Sequence, residues 1–186
     1  MNKTRYALLG MLNDAPRTGY MLKQDIETTV GHFWGESYGQ IYPILKQLVA
    51  EGLATVSISD GKPLRKVYAI TDAGRSELRR WLVEPIASAQ PSRNELLLKL
   101  FFGAEVSKEA LKGHLVRQRE AADAALATFA GIKDALQAYE QDPNLPYWLA
   151  TLRYGERVQE AVRGWADETL DALDAAPSGA SPRRYS

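Results

Sequence analysis

The stretch Ser37-Tyr38-Gly39-Gln40-Ile41-Tyr42-Pro43-Ile44-Leu45-Lys46-Gln47-Leu48-Val49-Ala50-Glu51-Gly52-Leu53 reads as one short helix with both ends marked and two unlike faces. Ser37 suits the N-cap, and Gln40 three positions later completes a capping box. Gly52 fits the left-handed position just past a helix end, and Leu53 can fold back on Leu48 as the apolar contact of that stop. Ile41, Ile44, Leu45, Leu48 and Val49 recur at helical spacing and form the face expected to be buried. The opposite face carries Tyr38, Gln40, Tyr42, Lys46 and Gln47, with no acid before Glu51. Aromatic hydroxyls, an amide and a cation on one face suit hydrogen bonding to base edges and phosphates in a major groove, the alternative being an ordinary solvated surface. Pro43 lies beyond the first turn, where its missing N–H predicts a kink or a delayed start.

Working outward, Thr4 to Leu12 places Ala7, Leu8, Met11 and Leu12 on one helical face, and Asn13-Asp14-Ala15-Pro16 stops it. Thr18 can cap a second helix through Thr29, with Leu22 and Ile26 inward. Gly31-His32-Phe33-Trp34-Gly35 is then a glycine-bounded aromatic loop. After Gly52 the period changes to 2. Thr55–Ser59 and Lys66–Ile70 alternate around Asp60-Gly61-Lys62-Pro63, which predicts a hairpin whose tip and second strand carry Lys62, Arg65 and Lys66. Thr71 caps a further helix through Leu82, with Leu78, Trp81 and Leu82 apolar. Three helices, a basic-tipped hairpin and a closing helix together specify a winged helix-turn-helix, although each piece alone is weak evidence.

The remainder is helical with a different character. Residues 84–92 read as a linker. Ser92 to Glu95 forms a second capping box, opening a helix that carries Leu96, Leu97, Leu98, Leu100, Phe101 and Phe102 with only Lys99 between them. A helix apolar all round needs cover on several sides, which points to neighbouring helices from one or two chains. Ser107 begins the longest helix, ending near Glu140. Leu111, Leu115, Gln118, Ala122, Ala125, Phe129, Ile132, Leu136 and Tyr139 repeat at alternating intervals of four and three, a heptad seam on a helix about 50 Å long at 1.5 Å per residue. Gln118 on that seam either sets register or lies at an open edge. Pro143 to Pro146 reverses the chain into a last helix, Asn144 to Leu173, so the two long helices are expected to pair antiparallel. The fold class is therefore mainly α: residues 1–83 a winged helix-turn-helix DNA-binding domain, 84–92 a linker, 93–174 a long-helix dimerisation domain, and 175–186 a disordered tail.

The 186 residues carry 23 Lys and Arg against 23 Asp and Glu, so whole-chain charge gives no argument for nucleic acid. Its distribution says more: residues 1–82 hold 11 basic against 8 acidic residues, and residues 83–186 hold 12 against 15. Without cysteine there are no disulfides, thiolate chemistry or Cys-based zinc sites. His32 and His114 belong to no metal-ligand spacing, and no set of residues suggests a catalytic centre, a metal site or a phosphate-cradling glycine loop. No apolar run approaches the roughly 20 residues of a membrane span, and the N-terminus lacks a signal-peptide core. A cytoplasmic protein that is not an enzyme, with no bound cofactor and no membrane partner, is expected.

Ala7-Leu8-Leu9-Gly10, Gly19-Tyr20, the run Gly39 to Leu48, Glu51-Gly52-Leu53, Lys66 to Gly74 and Glu95 to Phe102 together resemble the PadR family of transcriptional regulators. The similarity covers residues 3–173, and the long C-terminal part resembles the larger, virulence-regulator-type subgroup. The resemblance implies a proline in the recognition helix, a homodimer formed by the C-terminal helices, an operator of two inverted half-sites and, usually, repression. Some members of the family release DNA on binding a small aromatic effector.

On that fold the expected DNA-contacting set is Tyr20, Lys23, Tyr38, Gln40, Tyr42, Lys46, Lys62, Arg65 and Lys66. Wing cations and the Tyr20, Lys23 and Tyr42 side chains would meet phosphates. Gln40 either pairs with adenine or serves the capping box. Phe33, Trp34, Tyr147 and Trp148, with Tyr154, are candidates for the walls of an aromatic-effector site and Arg153 for its carboxylate partner, the alternative being core or dimer packing. The competing function is a winged-helix protein-interaction module. The basic wing and the Tyr/Gln/Lys helix face favour double-stranded DNA.

Overall fold

The computed structural model describes residues 3–34, 38–59, 64–86 and 93–176. The chain divides into two compact units, residues 1–89 and 90–186.

The first unit is built around the helix singled out by the sequence. Helix α1 (Thr4–Asp14), strand β1 (Arg17–Thr18), α2 (Gly19–Thr29), α3 (Tyr38–Ala50), β2 (Ala54–Ile58), β3 (Lys66–Ile70) and α4 (Asp72–Val83) follow in order. Ile41, Ile44, Leu45 and Leu48 of α3 are buried among Leu8, Leu9 and Leu12 of α1 and Leu22 and Ile26 of α2. Val49 is half-buried at the edge of this core. On α1 the buried face is Leu8, Leu9 and Leu12, while Ala7 and Met11 are only half-buried. The stripe is thus turned by one residue from the expected one, because α1 meets α2, α3, α4 and β3 on several sides. On α4, Leu78 is buried, Trp81 stacks face to face on Tyr6 at 4.4 Å between ring centres, and Leu82, expected inward, is exposed.

Local signals account for most boundaries. The Thr18 hydroxyl accepts the Met21 N–H, and the Thr71 hydroxyl accepts the Gly74 N–H, both in N-cap geometry. Gly52 has φ of 72°, and Leu53 N–H returns to the Leu48 carbonyl, closing α3 as its sequence predicts. Pro43 lies inside α3 without ending it. Its missing N–H falls opposite the carbonyl of Gly39 in the first turn, so the distortion is confined to the start of the helix. Ser37, the expected N-cap, lies outside the described residues. The hairpin pairs β2 with β3 antiparallel, Ala54 opposite Ile70 through Ile58 opposite Lys66. A third strand not foreseen from sequence, β1, pairs with the other edge of β3, giving the order β1-β3-β2.

In the second unit, α5 (Glu95–Phe101) leads through a 3₁₀ turn at Gly103–Glu105 to α6 (Lys108–Leu136), a second 3₁₀ turn at Gln137–Tyr139, and α7 (Leu145–Ala175). Asn94, rather than Ser92, caps α5 by accepting the Leu97 N–H. Ser107 caps α6 through the Ala110 N–H. Leu115, Ala122 and Phe129, each a heptad apart, are buried on α6, while Gln118 is half-buried and Tyr139 exposed. Across the pair, Lys112 meets Asp174, Arg119 meets Asp167, Arg163 meets Asp123, and Lys133 meets Glu156. As numbers rise along α6 the partners' fall along α7, which makes the helices antiparallel. Leu97, Leu98 and Phe101 of α5 and Phe102 just past its end are at least half exposed, and only Leu96 and Leu100 are partly covered.

Candidate nucleic-acid interface

The outer face of α3 is held in place from beneath. Arg5, almost fully buried in α1, donates to the Glu51 carboxylate just past the α3 C-terminus, and Gln47 donates to the same carboxylate at 2.7 Å. Those two hydrogen bonds, that from Arg5 first, hold Glu51 below the usual carboxylate range. Tyr6 donates to Glu77 at 3.0 Å, and Arg80 grips the same carboxylate, so α4 is tied to α1 beside the Trp81 stack. Gln47, which the sequence left on the open polar face, is therefore engaged with Glu51.

Tyr42 emerges from the first half of α3, more than half exposed, and its ring lies against Gly19 at the start of α2. A Cβ at position 19 would stand only 2.6 Å from the ring edge, so glycine there leaves the ring room against the backbone. Tyr20 is equally exposed, with the Lys23 ammonium 5.9 Å from its ring centre. Gln40 and Lys46 lie on the exposed side of α3. Tyr38 opens the helix, and its side chain lies outside the described residues, as does Lys62.

The base of the wing is fixed by its backbone. Ser59 N–H donates to the Arg65 carbonyl at 2.8 Å, and Arg65 N–H donates to the Ser59 hydroxyl at 3.1 Å. This clasp sets Arg65 and Lys66 beside α2 and α3. Thr18, Gly19, Tyr20, Tyr42, Arg65, Lys66 and Tyr68 line one open cleft of about 540 Å³. Four residues expected to meet DNA, from three separate elements, thus share a single surface. Thr18, Gly19 and Tyr68 were not among the DNA contacts expected from sequence. Thr18 reads as a cap, Gly19 as a helix start, and Tyr68 as one more alternating strand residue.

Charge reinforces the shape. Among the described residues Lys46, Arg65 and Lys66 form no ion pair. By contrast Arg5, Arg17 and Arg80 of the same unit are all matched to carboxylates. The cleft and the α3 face therefore present cations that no described residue of the unit pairs. Tyr68 is 7% exposed; burial first, then the neighbouring Tyr42 phenol, push its pKa above the ordinary tyrosine value. Its hydroxyl stays protonated and is a donor.

The candidate effector residues fall in both units. In the first, Phe33 is exposed edge-to-face with His32 at 4.7 Å, and Trp34 is half-buried with its Nε1 lacking a hydrogen-bond partner. In the second, Trp148 lies edge-to-face on Tyr139 at 5.9 Å where α6 turns into α7, with Tyr147, Arg153 and Tyr154 exposed on the first turns of α7. Among the described residues no cluster of His, Asp and Glu could hold a metal ion, and no helix is long and apolar enough to cross a membrane.

Residues 8–80 match the model of the transcriptional regulator PadR-like family, and residues 92–174 that of the virulence activator alpha C-terminal region. The negative transcriptional regulator PadR of Bacillus subtilis is 28% identical over 181 residues, spanning 94% of this chain and 99% of that protein. Its crystal structure in complex with operator DNA superposes with a TM-score of 0.81 at 26% identity, covering 93% of this chain and all of that one. The same regulator in complex with p-coumaric acid gives a TM-score of 0.75 at 26% identity, covering 93% of this chain and 99% of that one. The protein named Probable transcriptional regulator Rv1176c, from Mycobacterium tuberculosis, is 30% identical over 181 residues, 90% of this chain and 96% of that protein. The Vibrio cholerae virulence activator AphA has a TM-score of 0.73 at 30% identity, over 92% of this chain and 98% of that one.

Proposed function

This chain belongs to the PadR-like family of transcriptional regulators, and we propose that it is a repressor which binds an inverted-repeat operator as a homodimer. Residues 1–83 bind the duplex, residues 93–174 form the dimer, residues 84–92 link them, and residues 175–186 are a tail. The observation that carries the DNA reading is the convergence of Tyr20, Tyr42, Arg65 and Lys66 on one cleft, beside the exposed Gln40 and Lys46 of α3. An exposed helix start with an amide and hydroxyls suits the major groove, and the wing cations suit phosphates on either side. Tyr38 and Lys62 complete the set at the start of α3 and at the wing tip, and Lys23 supports Tyr20. The regulator works without catalysis, in the cytoplasm where the chromosome lies.

The dimer reading rests on α5, whose Leu97, Leu98, Phe101 and Phe102 stay largely uncovered by their own chain. So much adjacent apolar surface on one short helix is characteristic of a face awaiting a partner. A small aromatic acid is the proposed effector, with Trp148 and Tyr147 stacking on its ring and Arg153 meeting its carboxylate. B. subtilis PadR, crystallised with p-coumaric acid, supports this chemistry.

Selection of bound duplexes from a random library, followed by gel shift against a scrambled sequence, tests the central claim. A palindromic site is expected. If no sequence is enriched and no duplex is shifted, the winged helix is an interaction module instead. Adding phenolic acids to the shifted complex should release the DNA; a panel that neither releases DNA nor quenches indole fluorescence removes the effector.

A further inference from the structure

The cleft at the wing base contains one polar group that neither the fold nor the expected DNA contacts use. Tyr68 stands in the middle strand of the sheet, opposite Arg17 of β1 and Val56 of β2. Its side chain is more than nine-tenths buried, yet it lines the open cleft, so the small part that stays accessible faces that cleft. A phenol hydroxyl is a donor, and one held at a cleft can donate to an acceptor that enters it.

The surroundings select the acceptor. Arg65 and Lys66 bring two cations, Tyr20 and Tyr42 bring phenol groups, and Thr18 and Gly19 bring the positive end of α2. Among the described residues no carboxylate lines the cleft. An anion with several oxygens is the only common chemistry all of these favour. The tyrosine rings add apolar walls, which suit the deoxyribose on each side of a phosphodiester better than a bare inorganic ion.

We propose that this cleft seats one backbone phosphodiester of the bound duplex, and that the Tyr68 hydroxyl donates a hydrogen bond to it. The inference rests on the DNA-binding reading above and adds a contact from the sheet, behind the recognition helix and the wing. Tyr68 is a neutral donor, so it displaces no counterion when it meets phosphate. Its loss therefore leaves a signature unlike that of a lysine: weaker binding to every sequence with the salt dependence unchanged.

The test uses full-length protein, the selected duplex and its scrambled counterpart. Tyr68→Phe should weaken both complexes equally, by about tenfold or more as expected for one hydrogen bond to an anionic acceptor, and leave the slope of log affinity against log salt as in the wild type. A scan of single methylphosphonate substitutions should then find one position per half-site that penalises the wild type several-fold more than Tyr68→Phe. That scan compares modified with unmodified duplex on the same protein, so it stays readable even if the variant loses some stability. Free inorganic phosphate, at constant ionic strength, should compete equally with both proteins. A wild type that binds no duplex removes the DNA-binding reading and this inference with it. A wild type that binds while Tyr68→Phe binds equally well overturns the inference alone, as does a scan that finds no such position. Selective competition by free phosphate against the wild type would make the cleft a free-anion site and overturn its assignment to the duplex.

Discussion

Gly74 shows most sharply how the first unit is assembled. It lies in the first turn of α4, fully inside the corner where α3 passes into β2. A Cβ there would stand 2.1 Å from the Leu53 carbonyl oxygen and 2.8 Å from Ile70 Cγ1. The same carbonyl accepts the Thr71 N–H at 3.1 Å, and the Thr71 hydroxyl, besides capping α4, donates to the Gly52 carbonyl at 2.7 Å. Relieving the contact requires α4 and the α3–β2 corner to separate by about 1 Å, since carbon and oxygen rarely approach within about 3 Å. Overpacking of this kind costs about 1–3 kcal/mol, and weakening the Thr71 bonds adds about 1 kcal/mol. The gain in helix propensity returns at most about 1 kcal/mol. Gly74→Ala should therefore destabilise the unit by about 2 kcal/mol. Gly10→Ala should do the reverse, because position 10 is an exposed helix interior with nothing within 4 Å of its Cβ; a gain of about 0.5–1 kcal/mol is expected. Hydrogen exchange of α1 and α4 amides in the full chain measures both, and 2 kcal/mol corresponds to about thirtyfold faster exchange at the slowest sites. If Gly74→Ala proves neutral, or both variants shift in the same direction, the packing argument is wrong.

Glu51→Gln leaves the buried Arg5 without its counter-charge and should cost about 1–2 kcal/mol, less than a fully buried pair because Glu51 is more than a third exposed. Because the folded-state pKa of Glu51 is lowered, its contribution is present above the unfolded value and fades as pH falls below about 4.5 and through the folded value; urea melts down the acid limb should show a shallower loss for Glu51→Gln than for wild type. Lys66→Ala should weaken operator and scrambled duplex together and flatten the log–log salt slope by about one unit. Gln40→Ala should instead cost about 1–3 kcal/mol on the operator alone, and selective operator loss in Lys66→Ala would reverse these roles. Phe101→Glu, exposed in a single chain, should keep the circular dichroism spectrum yet halve the mass measured by light scattering; a variant that remains dimeric would exclude α5 from the interface.

Much of this molecule is written in short windows of its sequence. The caps at Thr18, Thr71 and Ser107, the glycine stop at Gly52, the apolar stripe of α3, the 2-residue period of the hairpin and the heptads of α6 all depend on residues one to seven positions apart. A helix or strand carries such information in its own repeat, so these elements were legible before any coordinate. Gln40, Tyr42, Arg65 and Lys66 could be chosen for the same reason, being polar residues on otherwise apolar periodic elements. What tertiary structure alone decided joins residues far apart in the chain. Strand β1 is two residues long and exists because β3, some fifty positions later, offers an edge to pair with. Arg5 looked like an ordinary charged residue until α3 brought Glu51 to it across 46 positions. Tyr68 read as one more strand residue, and only the approach of α2 and α3 to β3 set it at an open cleft. The face of an amphipathic element is fixed by its own spacing. Which neighbour covers that face, and which polar group is left facing an open cleft, follows from packing between elements, and no repeat within a single segment records it.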